Sequence, residues 1–215
     1  MKLLKRGILI AIEGIDGSGK STLARNLYTT LQEQNIPTLL TKEPGATPLG
    51  EKLRTLLHEK PCAICPKAEY LLFAADRAQH MATVIQPALE KNYLVLSDRM
   101  GDSSVVYQGY ARGLDTEIIK QINDWAMNSI KPDLIFYVQL SAYQAIERIK
   151  QRNKPLTSFE KEGITFIQSL VNGFNILYNN DPHVVCLDGT MPPAVLTKQA
   201  LDALFLWIDT HEHTK

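Results

Sequence analysis

The stretch that decides the fold is Gly14-Ile15-Asp16-Gly17-Ser18-Gly19-Lys20-Ser21, which fits the phosphate-binding pattern G-x-x-x-x-G-K-[ST] at every fixed position. An apolar run at 8–12 precedes it and a helix-like segment at 22–27 follows it. Between a strand and a helix, the loop N–H groups and the positive end of the helix dipole face an anion. Lys20 is then predicted to reach the β- and γ-phosphates and Ser21 to ligate Mg²⁺. The flanking elements argue against a glycine-rich turn that matches by chance.

Outward from this loop, short apolar runs alternate with longer amphipathic stretches. Strands are predicted at 8–12, 37–41, 93–97, 134–138 and 184–187. After the helix that begins at Thr22, further helices are predicted at 49–57, 67–90 with a kink or an end at Pro87, 115–129, 142–151, 159–178 and 194–209. This alternation indicates an α/β fold, with a parallel sheet of about five strands and helices on both faces. We expect a single domain over residues 1–215.

Composition and charge exclude several classes of protein. Hydrophobic residues make up 45% and charged residues 21% of the 215, which are ordinary globular values. The formal net charge is zero, so nothing indicates a nucleic acid as partner. No apolar run approaches the length of a membrane span, and residues 1–7 are too poor in apolar residues for a signal peptide. We therefore expect no membrane partner and a cytoplasmic location.

The three cysteines form no even disulfide framework. Cys62 and Cys65 make a C-x-x-C pair with His58 and His80 nearby in sequence, so a zinc site is an alternative. No second ligand pair lies at metal spacing, and reduced, incidental thiols are the favoured interpretation.

Polar residues follow the first three predicted strands. Glu13 follows the first, Glu43 the second, and Asp98-Arg99 the third. Ligands of α/β sheets gather at these carboxyl ends. Asp98 is predicted to hold Mg²⁺ or to orient the acceptor oxygen, and Arg99 to bind a phosphate bidentately. The alternative is an ion pair between Asp98 and Arg99 at a strand end, which the phosphate loop makes less favoured.

Helical spacing places Phe73, Arg77 and His80 on one face of a predicted helix. An aromatic ring followed one turn later by an arginine can clamp a flat base, since the ring stacks and the guanidinium donates to a carbonyl edge. Spacing alone favours the simpler alternative, in which Phe73 belongs to the core and Arg77 is solvated.

Four segments taken together resemble the thymidylate kinases. They are E-G-I-D-G-S-G-K-S-T at 13–22, T-K-E-P-G-A-T-P-L-G-E at 41–51, F-A-A-D-R at 73–77, and D-R at 98–99 with S-S at 103–104 and Y-Q-G at 107–109. The resemblance is strong through Gly113 and weaker after Gln151. It implies the P-loop NTPase fold, Mg²⁺-dependent transfer of the γ-phosphoryl group of ATP to dTMP, and a homodimer.

The resemblance also assigns roles to residues of this chain. The ATP-binding residues would be Gly14, Ile15, Asp16, Gly17, Ser18, Gly19, Lys20, Ser21 and Thr22. The substrate-binding residues would be Glu13, Glu43, Arg54, Phe73, Arg77, Arg99, Ser103, Ser104, Tyr107 and Gln108. Among these, Arg54 and Arg99 match positions that bind the dTMP phosphate, Phe73 would stack on thymine, Arg77 would contact its O4 edge, and Tyr107 would pack against the deoxyribose. The catalytic residues would be Lys20, Asp98 and Arg99, with Ser21 and Asp98 at the metal.

Four positions depart from the family pattern. Lys42 stands where an arginine is common, and Met100 where an aromatic residue or histidine is usual. Gly17 stands where many eukaryotic members carry an arginine, so the chain resembles the bacterial type, in which a mobile lid supplies the catalytic arginines. Ser158 stands where that lid usually has its arginine.

We expect the lid near residues 148–160. Its remaining cations are Arg148, Arg152 and Lys154, and we choose Arg152 as catalytic because phosphoryl transfer benefits from positive charge over the γ-phosphate. The alternative is a solvated charged helix with no role in the reaction.

Two other functions stay open at this point. Another P-loop nucleotide or nucleoside kinase would share the fold, although two acceptor-phosphate arginines favour a nucleotide acceptor. A GTP-hydrolysing switch is less favoured, since Asp98-Arg99-Met100-Gly101 fits D-x-x-G but the segment 153–156 lacks the final acid of N-K-x-D.

Overall fold

A computed structural model describes residues 4–59, 62–152 and 155–212 of the protein. Five strands form one parallel sheet in the order β2-β3-β1-β4-β5. The strands are β1 (Ile8–Glu13), β2 (Thr38–Lys42), β3 (Leu94–Asp98), β4 (Leu134–Gln139) and β5 (Val184–Asp188). The predicted parallel sheet is confirmed, and each predicted strand lies within one residue of its observed bounds. Among the helices of the described residues, none is both long and apolar enough to cross a membrane.

Helices connect the strands throughout. They are α1 (Lys20–Glu33), α2 (Pro48–Glu59), α3 (Pro66–His80), α4 (Gln86–Glu90), α5 (Gly101–Ser104), α6 (Thr116–Ala126), α7 (Ala142–Gln151), α8 (Ile164–Leu177) and α9 (Pro193–Glu212). Wider π-helical turns join α3 to α4 at Met81–Ile85 and extend α5 at Val105–Ala111. A 3₁₀ turn at Glu160–Glu162 precedes α8.

Two predicted helices need correction. The helix over 67–90 does not end at Pro87. It widens after His80 into the π turn Met81–Ile85, which leads directly into α4, and Pro87 lies in the first turn of α4, where its missing N–H costs little. The helix over 159–178 is broken at Gly163, whose φ of 88° separates the 3₁₀ turn from α8. The helical segment 101–111 was not predicted, since it contains no clear apolar period.

The sheet is buried on both faces because apolar residues occupy successive positions of its strands. On β1, Ile8, Ile10 and Ile12 pack with apolar residues of α1 and α9. Leu9 and Ala11 point to the other face, where they join residues of the π turns and α8. This two-sided burial is typical of parallel sheets, and it confirms the predicted helices on both faces.

The strand order brings the carboxyl ends of β2, β3 and β1 side by side. Asp98 on β3 lies opposite both Ile12 on β1 and Lys42 on β2. The Arg99 N–H donates to the carbonyl of Ile12 at 3.0 Å, and the Glu43 N–H donates to the carbonyl of Asp98 at 3.0 Å. The segments that follow these three strands are therefore fixed against one another at one edge of the sheet.

Candidate active site

A cavity of about 1090 Å³ opens at this edge. Its lining includes most of the residues predicted from the sequence: Asp16, Gly17, Ser18, Gly19, Lys20, Ser21, Thr22, Glu43, Arg54, Phe73, Arg77, Asp98, Arg99, Ser103, Ser104, Tyr107, Gln108 and Arg152. Glu13, Gly14 and Ile15 are buried beneath that lining. The structure thus gathers the predicted donor and acceptor residues around one continuous space.

The phosphate loop is built for an anion. Gly19 caps α1 in the left-handed conformation and α1 has no side-chain cap, so N–H groups of its first turn remain for a phosphate. Gly17 has a φ of 81°, and a Cβ there would lie 2.8 Å from the carbonyl oxygen of Ala145. Ser18 Oγ is buried with no hydrogen-bond partner among the described residues.

Lys20 lies in this loop with 5% of its surface exposed, and its Nζ donates to the carbonyl of Ile15 at 2.6 Å. Burial and the nearby charge of Arg99 lower the pKa of Lys20 to about 8, against the opposing effect of Asp16 and Asp98. A bound phosphate would place negative charge beside this ammonium group and so favour its protonated form.

Ser21 and Asp98 meet at the start of α1. Ser21 Oγ donates a short hydrogen bond to Asp98 Oδ2. One hydroxyl and one carboxylate are oxygen ligands of the kind that Mg²⁺ takes, with phosphate oxygens completing its coordination. In the part of the chain that the structure describes, no group of three or more His, Cys, Asp or Glu residues could hold a metal by itself. Cys62 and Cys65 are exposed free thiols, and the zinc alternative therefore has no support there.

Arg99 connects the phosphate loop to the acceptor side. It adopts a φ of 76°, and its guanidinium donates to the Gly14 carbonyl at 2.9 Å, to Ser103 Oγ at 2.9 Å, to Asp16 Oδ1 at 2.6 Å and to the Tyr107 hydroxyl at 3.1 Å. Partial burial would raise the pKa of Asp16, but the charges of Arg99 and of the loop lysine lower it to about 2. The alternative of an Asp98–Arg99 ion pair is wrong, because Arg99 pairs with Asp16.

Glu13 supports this arrangement from below and does not line the cavity as predicted. It is fully buried, and it accepts hydrogen bonds from the Met100 N–H at 2.7 Å and from the Ser103 hydroxyl at 2.6 Å. Burial raises the pKa of Glu13 to about 7, although the charge of Arg99 opposes that rise. Its role in the fold is to hold the turn that follows β3.

Arg77 is fixed at the opposite end of the cavity, with 1% of its surface exposed. Its Nε donates to Glu43 Oε2 at 2.9 Å and its Nη1 to Asn123 Oδ1 at 2.7 Å. Its Nη2 donates to the Met100 carbonyl at 3.3 Å and to Ser104 Oγ at 3.1 Å. The alternative that Arg77 is solvated is wrong, because buried partners surround it.

Aromatic and amide side chains complete the acceptor end. Phe73 packs against Phe159 with ring centroids 6.1 Å apart, and Tyr107 contacts Phe159 edge-on at 5.6 Å. The Tyr107 hydroxyl donates to Asp16 Oδ2 at 3.3 Å. Gln108 Nε2 donates to Glu69 Oε1 at 3.0 Å.

Arg54 extends from α2 toward the segment that follows β2. Its Nη1 donates to the Pro44 carbonyl at 2.9 Å. It therefore borders the cavity close to Glu43, at the acceptor end.

The segment predicted as a lid contributes two arginines to the cavity lining. Arg152 Nη2 pairs with Glu160 Oε2 at 2.8 Å. Arg148, one turn earlier on α7, donates to the Ser18 carbonyl at 3.4 Å and to the Gly189 carbonyl at 2.8 Å. The structure thus places Arg148 directly against the phosphate loop and Arg152 farther along, while Lys154 and its neighbour Asn153 lie outside the described residues.

Ser158, which replaces the usual lid arginine, donates to the carbonyl of Leu57 at the end of α2 at 3.2 Å. Sequence reasoning missed three of the residues that shape the site: Asn123, Phe159 and Glu160. Asn123 gave no local signal, since it lies 46 residues from Arg77. Phe159 and Glu160 stand beside Ser158 and could have been found as the rest of the lid motif.

The comparisons with known proteins agree with this geometry. The family model described as thymidylate kinase matches residues 12–200 of this chain. The chain belongs to the thymidylate kinase family. A curated thymidylate kinase of Halothermothrix orenii is 40% identical over 185 residues, with 85% of this chain and 89% of that protein covered. One from Desulfovibrio desulfuricans is 37% identical over 205 residues, with 92% and 94% covered.

A solved structure of the thymidylate kinase from Ehrlichia chaffeensis superposes with a TM-score of 0.74 at 30% identity, and the alignment covers 92% of this chain and 97% of that one. The P-loop NTPase fold is thereby confirmed. Membership of the thymidylate kinase family makes the protein an ATP-dependent nucleoside monophosphate kinase and supports the predicted phosphorylation of dTMP. The GTP-hydrolysing switch is not favoured.

Proposed function

We propose that the protein transfers the γ-phosphoryl group of ATP to dTMP, giving dTDP and ADP for dTTP synthesis, in the cavity at the edge of the sheet. The observation that carries the proposal is the position of Arg99. It lies in hydrogen-bond contact with the phosphate loop through Gly14 and Asp16, and with the acceptor side through Ser103 and Tyr107. An acceptor phosphate bound by Arg99 would therefore lie beside the transferring phosphate of ATP.

The donor end would bind ATP through the loop N–H groups and Lys20. Ser21 and Asp98 would hold Mg²⁺, which when bound neutralises phosphate oxygens and favours in-line transfer. Lys20 would exchange its contact with the Ile15 carbonyl for the β- and γ-phosphates.

The acceptor end would hold dTMP by its phosphate, sugar and base. Arg99 and Arg54 would bind the phosphate, and Tyr107 would pack against the deoxyribose. Phe73 would stack on thymine, while Arg77 would donate to O4. Because buried partners already orient Arg77, little free energy would be lost in ordering its side chain when the base binds.

The chemical step asks for positioning and charge more than for covalent chemistry. Two anionic phosphates must approach in line, and charge builds up on the transferring group. We assign its stabilisation to Lys20, Arg99 and a lid arginine, with Arg152 as the first choice and Arg148 as the second. The lid over 148–160 would exclude water, which otherwise hydrolyses ATP without transfer.

A coupled assay of ADP release tests the proposal directly. The purified protein is given MgATP with each of dTMP, dUMP, dCMP, dGMP and dAMP, and the product nucleotide is identified by chromatography. We expect rapid ADP release with dTMP, matched by dTDP. ADP release that does not depend on any nucleoside monophosphate would contradict the proposal.

We also propose a homodimer. Three large apolar side chains are exposed on the neighbouring helices α3 and α6: Leu71 and Ile118 at 54%, and Trp125 at 79%. Such side chains together favour a protein interface. We expect Trp125→Glu to convert a dimer into a folded monomer, measured by sedimentation equilibrium; a wild-type monomer at micromolar concentration would contradict the proposal.

We also propose that the protein is located in the cytoplasm. Its support is chemical, since the three cysteines are free thiols and ATP is the phosphoryl donor.

A further inference from the structure

We propose that His80, buried behind the cavity wall, is a positioning residue that determines thymine recognition by fixing Glu43 against Arg77. This inference rests on the proposed function, because it concerns the base end of the same site. His80 would act only through other residues, and it would contact neither the substrate nor the reacting phosphates.

Both ring nitrogens of His80 have partners in the structure. Nε2 lies 2.6 Å from Thr41 Oγ on β2, and Nδ1 lies 3.1 Å from Glu43 Oε1 in the segment that follows β2. His80 is the last residue of α3 and is fully buried. The imidazole therefore ties the end of that helix to the residues at the carboxyl end of β2.

The two carboxylate oxygens of Glu43 contact different partners. Its Oε1 faces His80, and its Oε2 accepts the Nε–H of Arg77 at 2.9 Å. With one oxygen fixed by the imidazole, the carboxylate cannot turn about its axis without breaking a buried hydrogen bond. That orientation, together with the contacts to Asn123, Met100 and Ser104, sets the plane of the Arg77 guanidinium and hence the direction of the N–H groups that would meet the base.

The protonation states agree with this arrangement. Burial would raise the pKa of Glu43, but the charge of Arg77 and the hydrogen bond from His80 outweigh it and lower that pKa. An ionised carboxylate only accepts, so Nδ1 of His80 carries the proton toward Glu43. The hydroxyl of Thr41 can donate to Nε2 or accept from it, so that contact is compatible with a proton on Nδ1.

The simpler alternative is that His80 only fills the core. The contacts of its two nitrogens separate these explanations, since asparagine can place its amide near Nδ1 and glutamine can place its amide near Nε2. His80→Asn can keep the contact with Glu43 and lose the one with Thr41. His80→Gln can keep the contact with Thr41 and lose the one with Glu43. Both variants remove the same ring, so they form a matched pair.

The experiment measures steady-state kinetics and dTMP binding by calorimetry for both variants, with the urea midpoint as a stability control. We expect His80→Gln to raise the KM for dTMP by about 10-fold or more and to reduce the preference for dTMP over dCMP, as loss of an outer contact to a ligand-binding group commonly does. The kcat and the KM for ATP should stay within about twofold of wild type. His80→Asn should stay within about threefold of wild type in every constant.

Equal changes in the two variants, or changes that follow the urea midpoint, would overturn the inference. If neither variant folds, Thr41→Val carries the test, because it removes the hydroxyl that anchors Nε2 and keeps the side-chain shape. Because the contact of Nδ1 with Glu43 remains, it should keep the KM for dTMP within about threefold of wild type, as His80→Asn should, and a rise of about 10-fold or more would overturn the inference. A wild-type protein that does not phosphorylate dTMP would instead contradict the proposed function, so the two failures are distinguishable.

Discussion

The base end of the cavity and the lid hold their arginines in different ways. Arg77 is 1% exposed and makes four hydrogen bonds to buried partners drawn from separate elements. The Arg152 side chain is 35% exposed and pairs with Glu160 across the lid segment. Under the proposed function, this difference would be a division of labour, in which the cation that recognises the acceptor is built into the fold and the cation for the transition state belongs to the proposed lid.

Free energies support that division. Breaking a buried ion pair by removing one partner costs about 3–5 kcal/mol, whereas a solvent-exposed pair contributes about 0–1 kcal/mol. Replacing Arg77 should therefore change both stability and binding. Replacing Arg152 should cost less stability than replacing Arg77, since the Arg152 side chain is 35% exposed, although it leaves the buried Glu160 carboxylate without its cation. Its main effect should appear in the reaction.

The largest effect is expected at the fixed donor end of the cavity. Lys20→Ala should lower kcat by at least about 10²–10³-fold, as loss of a preorganised charge at a developing anion does. Circular dichroism should show an unchanged fold. Full activity in this variant would show that the loop does not bind the transferring phosphate.

Asp98→Asn tests the proposed metal site. We expect kcat to fall by about 10²-fold while the Kd for dTMP changes little, since Asp98 would act on the metal and on the charge in transfer. The Mg²⁺ concentration for half-maximal rate should rise. If the rate and its Mg²⁺ dependence both matched the wild type, Asp98 would be only a structural partner of Ser21.

Arg112 makes contacts both at the base end of the cavity and beside the lid, so its substitution tests how the two regions depend on each other. Its Nη2 pairs at 2.6 Å with Glu162, which lies two residues beyond the proposed lid, and its Nε pairs with the buried Glu69 at 3.3 Å. The guanidinium also lies 4.9 Å from the ring centroid of Phe166. Arg112→Ala should loosen the lid and raise the ratio of ADP to dTDP by about 2–5-fold, because water then reaches ATP.

Arg112→Lys is the control for that experiment. It keeps the charge and loses the planar contact with the ring, so an intermediate ratio is expected. A wild-type ratio of ADP to dTDP in Arg112→Ala would show that the contacts of Arg112 have no part in excluding water from ATP.

The smallest effect concerns Glu13 and the stability of the fixed region. Because its pKa is raised from 4.5 to about 7, the folded state keeps a proton that the unfolded state has lost between these values. The free energy of unfolding should therefore decrease as pH rises through that window and level off above it. Urea unfolding at a series of pH values should show a flatter profile for Glu13→Gln, and two parallel profiles would contradict the assignment.

The fold and the donor end were predictable because their signals are local. The phosphate loop occupies eight consecutive residues, and each strand of the sheet is an apolar run bounded by polar residues. Asp98 could be placed because β3 ends there. These features depend on neighbours in sequence, and the structure changes their bounds by a residue at most.

The base end was only partly predictable because its contacts are distant in sequence. Arg77 contacts Glu43, which is 34 residues away in sequence, and Asn123, which is 46 residues away. The periodicity of a helix gives no information about such distant partners. Arg148 on α7 and Arg152, which caps that helix, are four residues apart, so spacing does not show which of them meets the phosphate loop. That depends on how α7 packs over Gly17, where a Cβ would lie 2.8 Å from the Ala145 carbonyl oxygen.

The most direct test of this division of labour compares Arg77→Lys with Arg152→Ala in one experiment. For each variant, calorimetry gives the Kd for dTMP and rapid quench gives the single-turnover rate at saturating substrates. Arg77→Lys should raise the Kd by at least about tenfold with a nearly unchanged rate, since lysine does not reproduce the guanidinium geometry. Arg152→Ala should lower the rate by at least about tenfold, or about 1.4 kcal/mol, with a nearly unchanged Kd. A wild-type rate in both Arg152→Ala and Arg148→Ala would contradict the account and leave these two arginines with a structural role only.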